Sequence, residues 1–246
     1  MQKNQLAHTR KRSVFGSAFV LLAAGAAITG AGIAGAQSFT PHAYIGGAYG
    51  VTNAQGDFNG QVANAATQGL TGGNALSNIR SDRSDNGGKF FAGYQFHRNL
   101  AAELSYVDFG RFNGGYLFSG PNSFNRQYVA NWRADGVALD LVASAEVMPK
   151  LSLSGRIGMM RSSLKYSHDT VPPGLDAFSA PTDHQTRPHF GLGLGYDITP
   201  AIGAQLAWER TSGIGRNFSF TSADPDRSNG KLNYDLVSLG LTYRFR

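Results

Sequence analysis

The sequence predicts an all-β chain folded as one eight-stranded antiparallel up-and-down transmembrane β-barrel. Three observations lead there. Eight segments alternate apolar with small or polar residues at a period of two, the pattern of a strand whose faces meet different surroundings. The connections between these segments alternate between short and long. After residue 36 no run of about 18 consecutive apolar residues remains for a membrane helix, so any crossing falls to strands.

The last segment, 232–245, is the clearest: Val237, Leu239, Leu241, Tyr243 and Phe245 share one face, and Leu236, Ser238, Gly240, Thr242 and Arg244 the other. The same parity runs through 87–96 (Phe90, Ala92, Tyr94, Phe96), 100–106 (Leu100, Ala102, Leu104, Tyr106) and 136–147 (Val137, Leu139, Leu141, Val147). It recurs in 151–160 (Leu151, Leu153, Ile157, Met159), 190–196 (Phe190, Leu192, Leu194, Tyr196) and 201–210 (Ile202, Ala204, Leu206, Trp208). A weaker run at 43–51, with Ile45 and Tyr49, makes the eighth. Residues 97–99, 148–150 and 199–200 read as tight turns. Residues 52–86, 110–134, 166–187 and 211–230 read as long loops rich in Gly, Asn, Ser and Asp.

A soluble up-and-down barrel also has eight strands, but its apolar face points inward and its outer face is solvated. Here the second face is mostly Gly, Ser, Ala and Thr, including Gly191, Gly193 and Gly195. Small residues suit the crowded lumen of a narrow barrel and would make a poor solvent-facing surface. Aromatics at the strand ends suit the girdles at a membrane interface.

The first 36 residues are set apart. Lys3, Arg10, Lys11 and Arg12 precede an apolar, Ala/Gly-rich stretch that ends in Ala34-Gly35-Ala36, the small-x-small pattern of signal-peptide cleavage. Residues 1–36 are therefore expected to be a cleavable signal peptide and 37–246 the barrel domain. Four of the 22 basic residues and none of the 16 acidic ones lie in that signal, which leaves 18 against 16 and a net charge of +2. The high isoelectric point belongs largely to the signal, and a nucleic-acid-binding role loses its support. The absence of cysteine excludes disulfides, thiol catalysis and lipid attachment at a cysteine.

Several segments resemble the OmpA-like transmembrane domain family. "GGKFFAGYQF" followed by "RNLAAELSYVDFG" is similar to that family's second and third strands, "GLGLGYDITPAIGAQLAWER" to its sixth and seventh, and "LVSLGLTYRF" to its last. The resemblance covers residues 43–245 and implies a Gram-negative outer-membrane location. Larger members continue into a peptidoglycan-binding domain, which is not expected after the eighth strand here. The resemblance also implies that alternating residues of the last strand, Leu241, Tyr243 and Phe245, are read by the barrel-assembly machinery, one position in from the terminal Arg246.

Five polar residues fall on the inward parity: Glu103, Asp140, Arg156, Gln205 and Glu209. A charge inside a narrow barrel must be paired or hydrated, so these are expected to form a polar lumen plug, with Arg156 held by Asp140 and Glu103. In the family such charges act as a switchable plug; Glu103 and Arg156 match that pattern, whereas Val142, Gly195 and Gln205 stand where related barrels often carry charge. Ser167-His168-Asp169 and Asp183-His184 are candidates for a lipid A-modifying Ser/His site, and His168, Asp169, Asp183, His184 and His189 for a metal site. Neither has a defined third partner or specific spacing, and no catalytic site, metal or cofactor is expected. Loop arginines (Arg80, Arg83, Arg111, Arg126, Arg133, Arg187, Arg216, Arg227) suit lipopolysaccharide phosphates or pairing with Asp82, Asp85, Asp224 and Asp226.

The expectation is a non-enzymatic outer-membrane barrel with a structural or surface-interaction role. A narrow pore gated by lumen charges is the alternative, and a lipid A-modifying enzyme the third class. The expected partners are outer-membrane lipids, lipopolysaccharide and the assembly machinery. N-terminal sequencing of the protein extracted from outer membranes should begin at Gln37, and recovery of intact Met1 there would refute the cleavable signal.

Overall fold

The computed structural model describes residues 39–56, 75–120, 123–171, 178–179, 182–214 and 232–245. The expected signal peptide lies outside the described residues. Ten strands follow one another: β1 (His42–Gln55), β2 (Ala75–Ser81), β3 (Ser84–His97), β4 (Leu100–Gly120), β5 (Ser123–Met148), β6 (Leu151–Val171), β7 (Phe178–Ser179), β8 (Asp183–Asp197), β9 (Ile202–Ile214) and β10 (Leu232–Arg244).

Eight of them form a closed antiparallel ring. The order runs β1-β3-β4-β5-β6-β8-β9-β10, and β10 returns to pair with β1 from Tyr44↔Arg244 to Gln55↔Asn233. The two extra strands are appendages: β2 pairs with the far end of β4, and β7 with β6. Each long strand is the eighth-part of a wall with no free edge, the condition for backbone to cross hydrocarbon without unpaired N–H and C=O groups. Tight turns join β3 to β4 and β5 to β6, where Lys150 takes a positive φ of 68°.

The apolar parity read from the sequence is the outward one. Leu239 is 67% exposed, and Ile157, Phe90, Leu139 and Leu241 also lie on the outer surface. Along each strand this apolar band lasts about ten residues, the length that crosses a bilayer at a tilt. It then stops, at Val51, Tyr106, Val137, Met159, Phe190, Trp208 and Val237, and the next outward residues are polar: Asn53, Asp108, Asp135, Arg161, Arg210 and Asp235 among them.

The strands do not stop there. β4 and β5 are 21 and 26 residues long, so β5 measures about 85 Å at ~3.3 Å per residue. Residues 110–134, expected as a loop, are instead mostly a β-ribbon in register from Arg111↔Arg133 to Gly120↔Ser123. The expected loops at 52–86, 166–187 and 211–230 likewise give residues to β1, β2, β3, β6, β7, β8 and β9. The reason is a reversal of polarity. Beyond the bilayer the outer face meets water, so apolar residues move to the inward parity while the period stays two. Phe112, Trp132, Leu164, Ile214, Tyr234 and Leu236 are all buried inward there. A template of apolar residues facing out cannot detect such strands.

The inward face along the membrane is built for crowding. A β-carbon at Gly50 would come within 2.6 Å of Ser238 Cα across the β1–β10 pair. Leu239→Arg should therefore cost ~2–4 kcal/mol through charge on the lipid face. Ser238→Arg, on a side chain only 2% exposed, should fail through overpacking. The mobility difference between boiled and unboiled samples after refolding into lipid measures both; wild-type refolding of Leu239→Arg would contradict the outward parity of β10.

Candidate functional site: a charged cluster in the lumen

The cluster begins with register. The row Tyr44–Gly93–Glu103–Asp140–Gly158–His189 runs directly across six neighbouring strands, from β1 to β8. Inward parity therefore places the side chains of Tyr44, Glu103, Asp140 and His189 side by side, with glycine between them. The glycines are spaces for their neighbours. A β-carbon at Gly158 would collide with the Leu139 carbonyl and the Asp140 carboxylate, and one at Gly93 would occupy the Tyr44 ring. One row over, Arg156 faces Gly191, which in turn faces Glu209.

Across the lumen these groups close a ring of ion pairs. Glu103 Oε1 accepts from Lys89 Nζ at 2.9 Å and from Arg156 Nη1 at 2.7 Å. Glu209 Oε1 lies 2.8 Å from Lys89 Nζ and 2.7 Å from Arg156 Nη1. Two carboxylate oxygens are thus each shared by two cations. Tyr44 Oη donates to the second Glu103 oxygen at 3.0 Å, and Lys89 Nζ lies 5.3 Å from the centre of the Phe91 ring. His189 Nδ1 lies 2.9 Å from Asp140 Oδ1, with its Nε2 3.7 Å from Glu209 Oε2. Lys89 and Arg156 each bridge Glu103 and Glu209, and Asp140 is held by His189. All four members of the ring are buried, with side chains at most 3% exposed.

The expectation for Arg156 requires a correction. Its contacts are Glu103 and Glu209, and Asp140 is bonded instead to His189. Arg156 stands opposite Val142 across the β5–β6 pair. However, the guanidinium reaches past Gly191 to Glu209 in its own row and over β5 to Glu103, so the carboxylates two strands away on β9 and β4 hold it. Gln205 lies inward on β9, half-buried, and shares in none of the cluster's bonds. Sequence reasoning missed Lys89, Tyr44 and His189. Parity alone could have found the first two, since they alternate with Phe90 and Ile45. His189 lies one residue before the segment 190–196 that alternation marks as a strand, although β8 includes it.

The other candidates separate. His184 is exposed on the outer face whereas His189 is buried in the lumen, so the two cannot share a metal. Among the described residues no group of three or more His, Asp or Glu is placed to hold one. Ser163 Oγ, and not Ser167, meets His184 Nδ1, at 3.0 Å; Ser167 lies opposite Asn131 and Ser179. The described bonds of His184 include no carboxylate to orient it as a base. Arg216, Arg227, Asp224 and Asp226 lie outside the described residues.

Above the charged cluster the lumen is apolar. Val107, Phe109, Phe112, Trp132, Met160 and Tyr234 fill it, each at most 4% exposed. Tyr234 meets Phe109 and Phe112 with ring centres 5.3 and 5.4 Å apart.

A closed ring with an apolar belt and a charged lumen is the setting in which sequence relationships acquire meaning. The model of the OmpA-like transmembrane domain matches residues 41–246. The chain belongs to the OmpA-like transmembrane domain family. It is 27% identical over 248 residues to outer membrane protein P5 of Haemophilus influenzae, covering 93% of this chain and 60% of that protein. It is 32% identical over 159 residues to outer membrane protein A of Shigella flexneri, covering 63% of this chain and 39% of the relative. The chain thus spans only about half the length of these relatives. Among solved structures it is similar to Ail, the attachment invasion locus protein of Yersinia pestis, with a TM-score of 0.46, 14% identity, and coverage of 84% of this chain and 100% of that one. As an OmpA-like barrel, this protein resides in the outer membrane, in a bilayer with lipopolysaccharide.

The geometry predicts which pairs are energetically coupled. Arg156→Ala should lower stability by up to ~3–5 kcal/mol, less where water enters the lumen. A double-mutant cycle of Arg156→Ala with Glu209→Gln should give a coupling of ~1–3 kcal/mol, and one with Asp140→Asn less than ~0.5 kcal/mol. Urea unfolding in lipid vesicles measures both, and equal couplings would refute the observed pairing.

Proposed function

We propose that this protein is a closed, non-enzymatic outer-membrane barrel whose role is structural and surface-directed, with the wall of the barrel carrying a β-ribbon beyond the membrane. The observation that supports this most is that two successive layers of buried side chains occupy the lumen. The ring of Lys89, Glu103, Arg156 and Glu209 bars the passage with paired charges, and the apolar layer of Phe109, Phe112, Trp132 and Tyr234 follows it. Opening a pore would require breaking buried ion pairs and also hydrating a packed aromatic layer, and these costs add.

The reading includes three further steps. Residues 1–36 serve as the export signal. Tyr243 on β10 and Phe245 just after it, both exposed and with ring centres 5.1 Å apart, together with Leu241 form the segment presented to the assembly machinery. The ribbon of β4, β5 and β6 carries the surface role, since its upper outward residues, Asn113, Asn131, Ser167 and Asp169 with Leu117 and Val129 among them, are mostly polar and stand clear of the apolar band.

Planar bilayer recordings test the closure. The wild type should give no steady conductance, and Arg156→Ala should still give none, because the apolar layer remains. Conductance should require Arg156→Ala combined with Phe112→Ala and Trp132→Ala. A steady current from Arg156→Ala alone would instead favour a pore gated by the lumen charges.

A further inference from the structure

The outer face of β4, β5, β6 and β8 just above the apolar band is ordered in rows. Tyr106, Val137, Arg161 and Thr186 form the first row, directly opposite one another across four strands. The second row is Asp108, Asp135, Ser163 and His184. The third is Arg111, Arg133 and Lys165. Rows on one face of a strand are about 6.6 Å apart and neighbouring strands about 4.8 Å apart. Three cations therefore stand shoulder to shoulder, with a fourth, Arg161, two rows below Lys165.

Like charges directly opposite each other on a sheet are destabilising, and here the fold arranges them deliberately. β4 reaches this row through a β-bulge between Asp108 and Arg111, where Gly110 takes a φ of +82° and its N–H is held by Asp108 at 2.9 Å. The extra residue resets the parity of β4. Phe109 and Phe112 then both point inward, and Arg111 points outward beside Arg133. Arg133 Nη2 lies 2.8 Å from Asp108 Oδ2, and Asp85 accepts the backbone N–H of Arg111. Arg111, Arg161 and Lys165 are exposed, and no carboxylate among the described residues bonds their side chains. The four cations outnumber the three carboxylates of the patch, Asp85, Asp108 and Asp135.

Position selects the ligand. Arg161 stands level with Tyr106 and Val137, the last apolar residues, so the patch occupies the height at which lipid headgroups meet water. A ligand here has its chains against Leu104, Leu139 and Met159 and its anionic groups against the cations. We infer that Arg111, Arg133, Arg161 and Lys165 form a binding site for the phosphate groups of an outer-leaflet phosphoglycolipid, whose acyl chains lie along the apolar face of β4–β6. This rests on the outer-membrane location and not on the closure of the lumen. The long spacing from Arg161 to the third row, about 13 Å along β6, favours a headgroup with more than one phosphate. Arg111 and Arg133 supply forked donors suited to phosphate oxygens, and His184 borders the site.

The test uses the full barrel refolded in zwitterionic detergent. Bis-phosphorylated lipid A is titrated and retention followed by native mass spectrometry, with the fully dephosphorylated lipid, phosphatidylglycerol and inorganic phosphate as separate probes. The wild type should retain bis-phosphorylated lipid A at least tenfold more tightly than the dephosphorylated lipid, with retention falling as salt rises. Arg133→Gln with Lys165→Gln should lose at least about tenfold, the worth of one charge-assisted hydrogen bond. Arg98→Gln with Lys150→Asn removes two cations from the opposite, turn end and should leave retention unchanged. Arg161→Gln alone should weaken the bis-phosphorylated lipid more than phosphatidylglycerol. Heat-modifiability confirms that each variant is folded. Equal retention by wild type and Arg133→Gln/Lys165→Gln, equal loss in the turn-end control, or equal binding of dephosphorylated lipid would each overturn the site. Tighter binding of inorganic phosphate than of lipid A would overturn the lipid as its ligand. None of these outcomes bears on the conductance that tests the closed lumen.

Discussion

Hydrocarbon offers the backbone no hydrogen-bond partner, and the closure of β10 onto β1 is how this chain meets that constraint. Once the ring is closed, every strand has two neighbours and each residue one of two fates. Outward residues face lipid, and inward ones share a space too narrow for eight strands of large side chains. Glycine and serine on β1, β8 and β10 follow from that confinement. So does the pairing of the buried charges Lys89, Glu103, Arg156 and Glu209, because a lone charge there would be neither solvated nor compensated.

The ring of Lys89, Arg156, Glu103 and Glu209 is the consequence in the membrane half of the barrel. It connects strands that are not neighbours in the sheet, β3 and β4 with β6 and β9, and so ties opposite walls together. Gly93, Gly158 and Gly191 belong to the same device, since each leaves room for a neighbouring member: Tyr44, Asp140 and Glu209. A charged cluster of this kind is weak evidence for stability by itself, because desolvation offsets much of the Coulombic gain. What it secures is specificity of arrangement: the carboxylates have few alternative partners, and Oε1 of each central glutamate is already shared by two cations.

The edge of the bilayer organises the rest. Below it the apolar parity is outward, above it inward, with the strands continuous through the change. The bulge at Gly110 shows how local chemistry accommodates this, resetting β4 so that Phe112 joins the inner apolar layer and Arg111 the outer cationic row. One residue of slip thus serves both faces of the wall. The inner layer supports a closed lumen, and the outer row places positive charge at headgroup height.

The sequence by itself determined the eight membrane strands and which face of each meets lipid. Side-chain alternation is a local property of extended backbone, and Leu239 or Ile157 shows it within a few residues. It also placed Glu103, Asp140, Arg156 and Glu209 on the inward side for the same reason, and the same alternation would have placed Lys89 and Tyr44. The tertiary structure alone decided that Arg156 meets Glu209 and Glu103 while Asp140 meets His189. Those contacts cross the lumen, and their geometry depends on the stagger with which distant strands close the ring. The length of β4, β5 and β6 was hidden for a different reason. Period two persists beyond the membrane, but water on the outside inverts its sign, and only the three-dimensional course of the chain shows where the solvent changes.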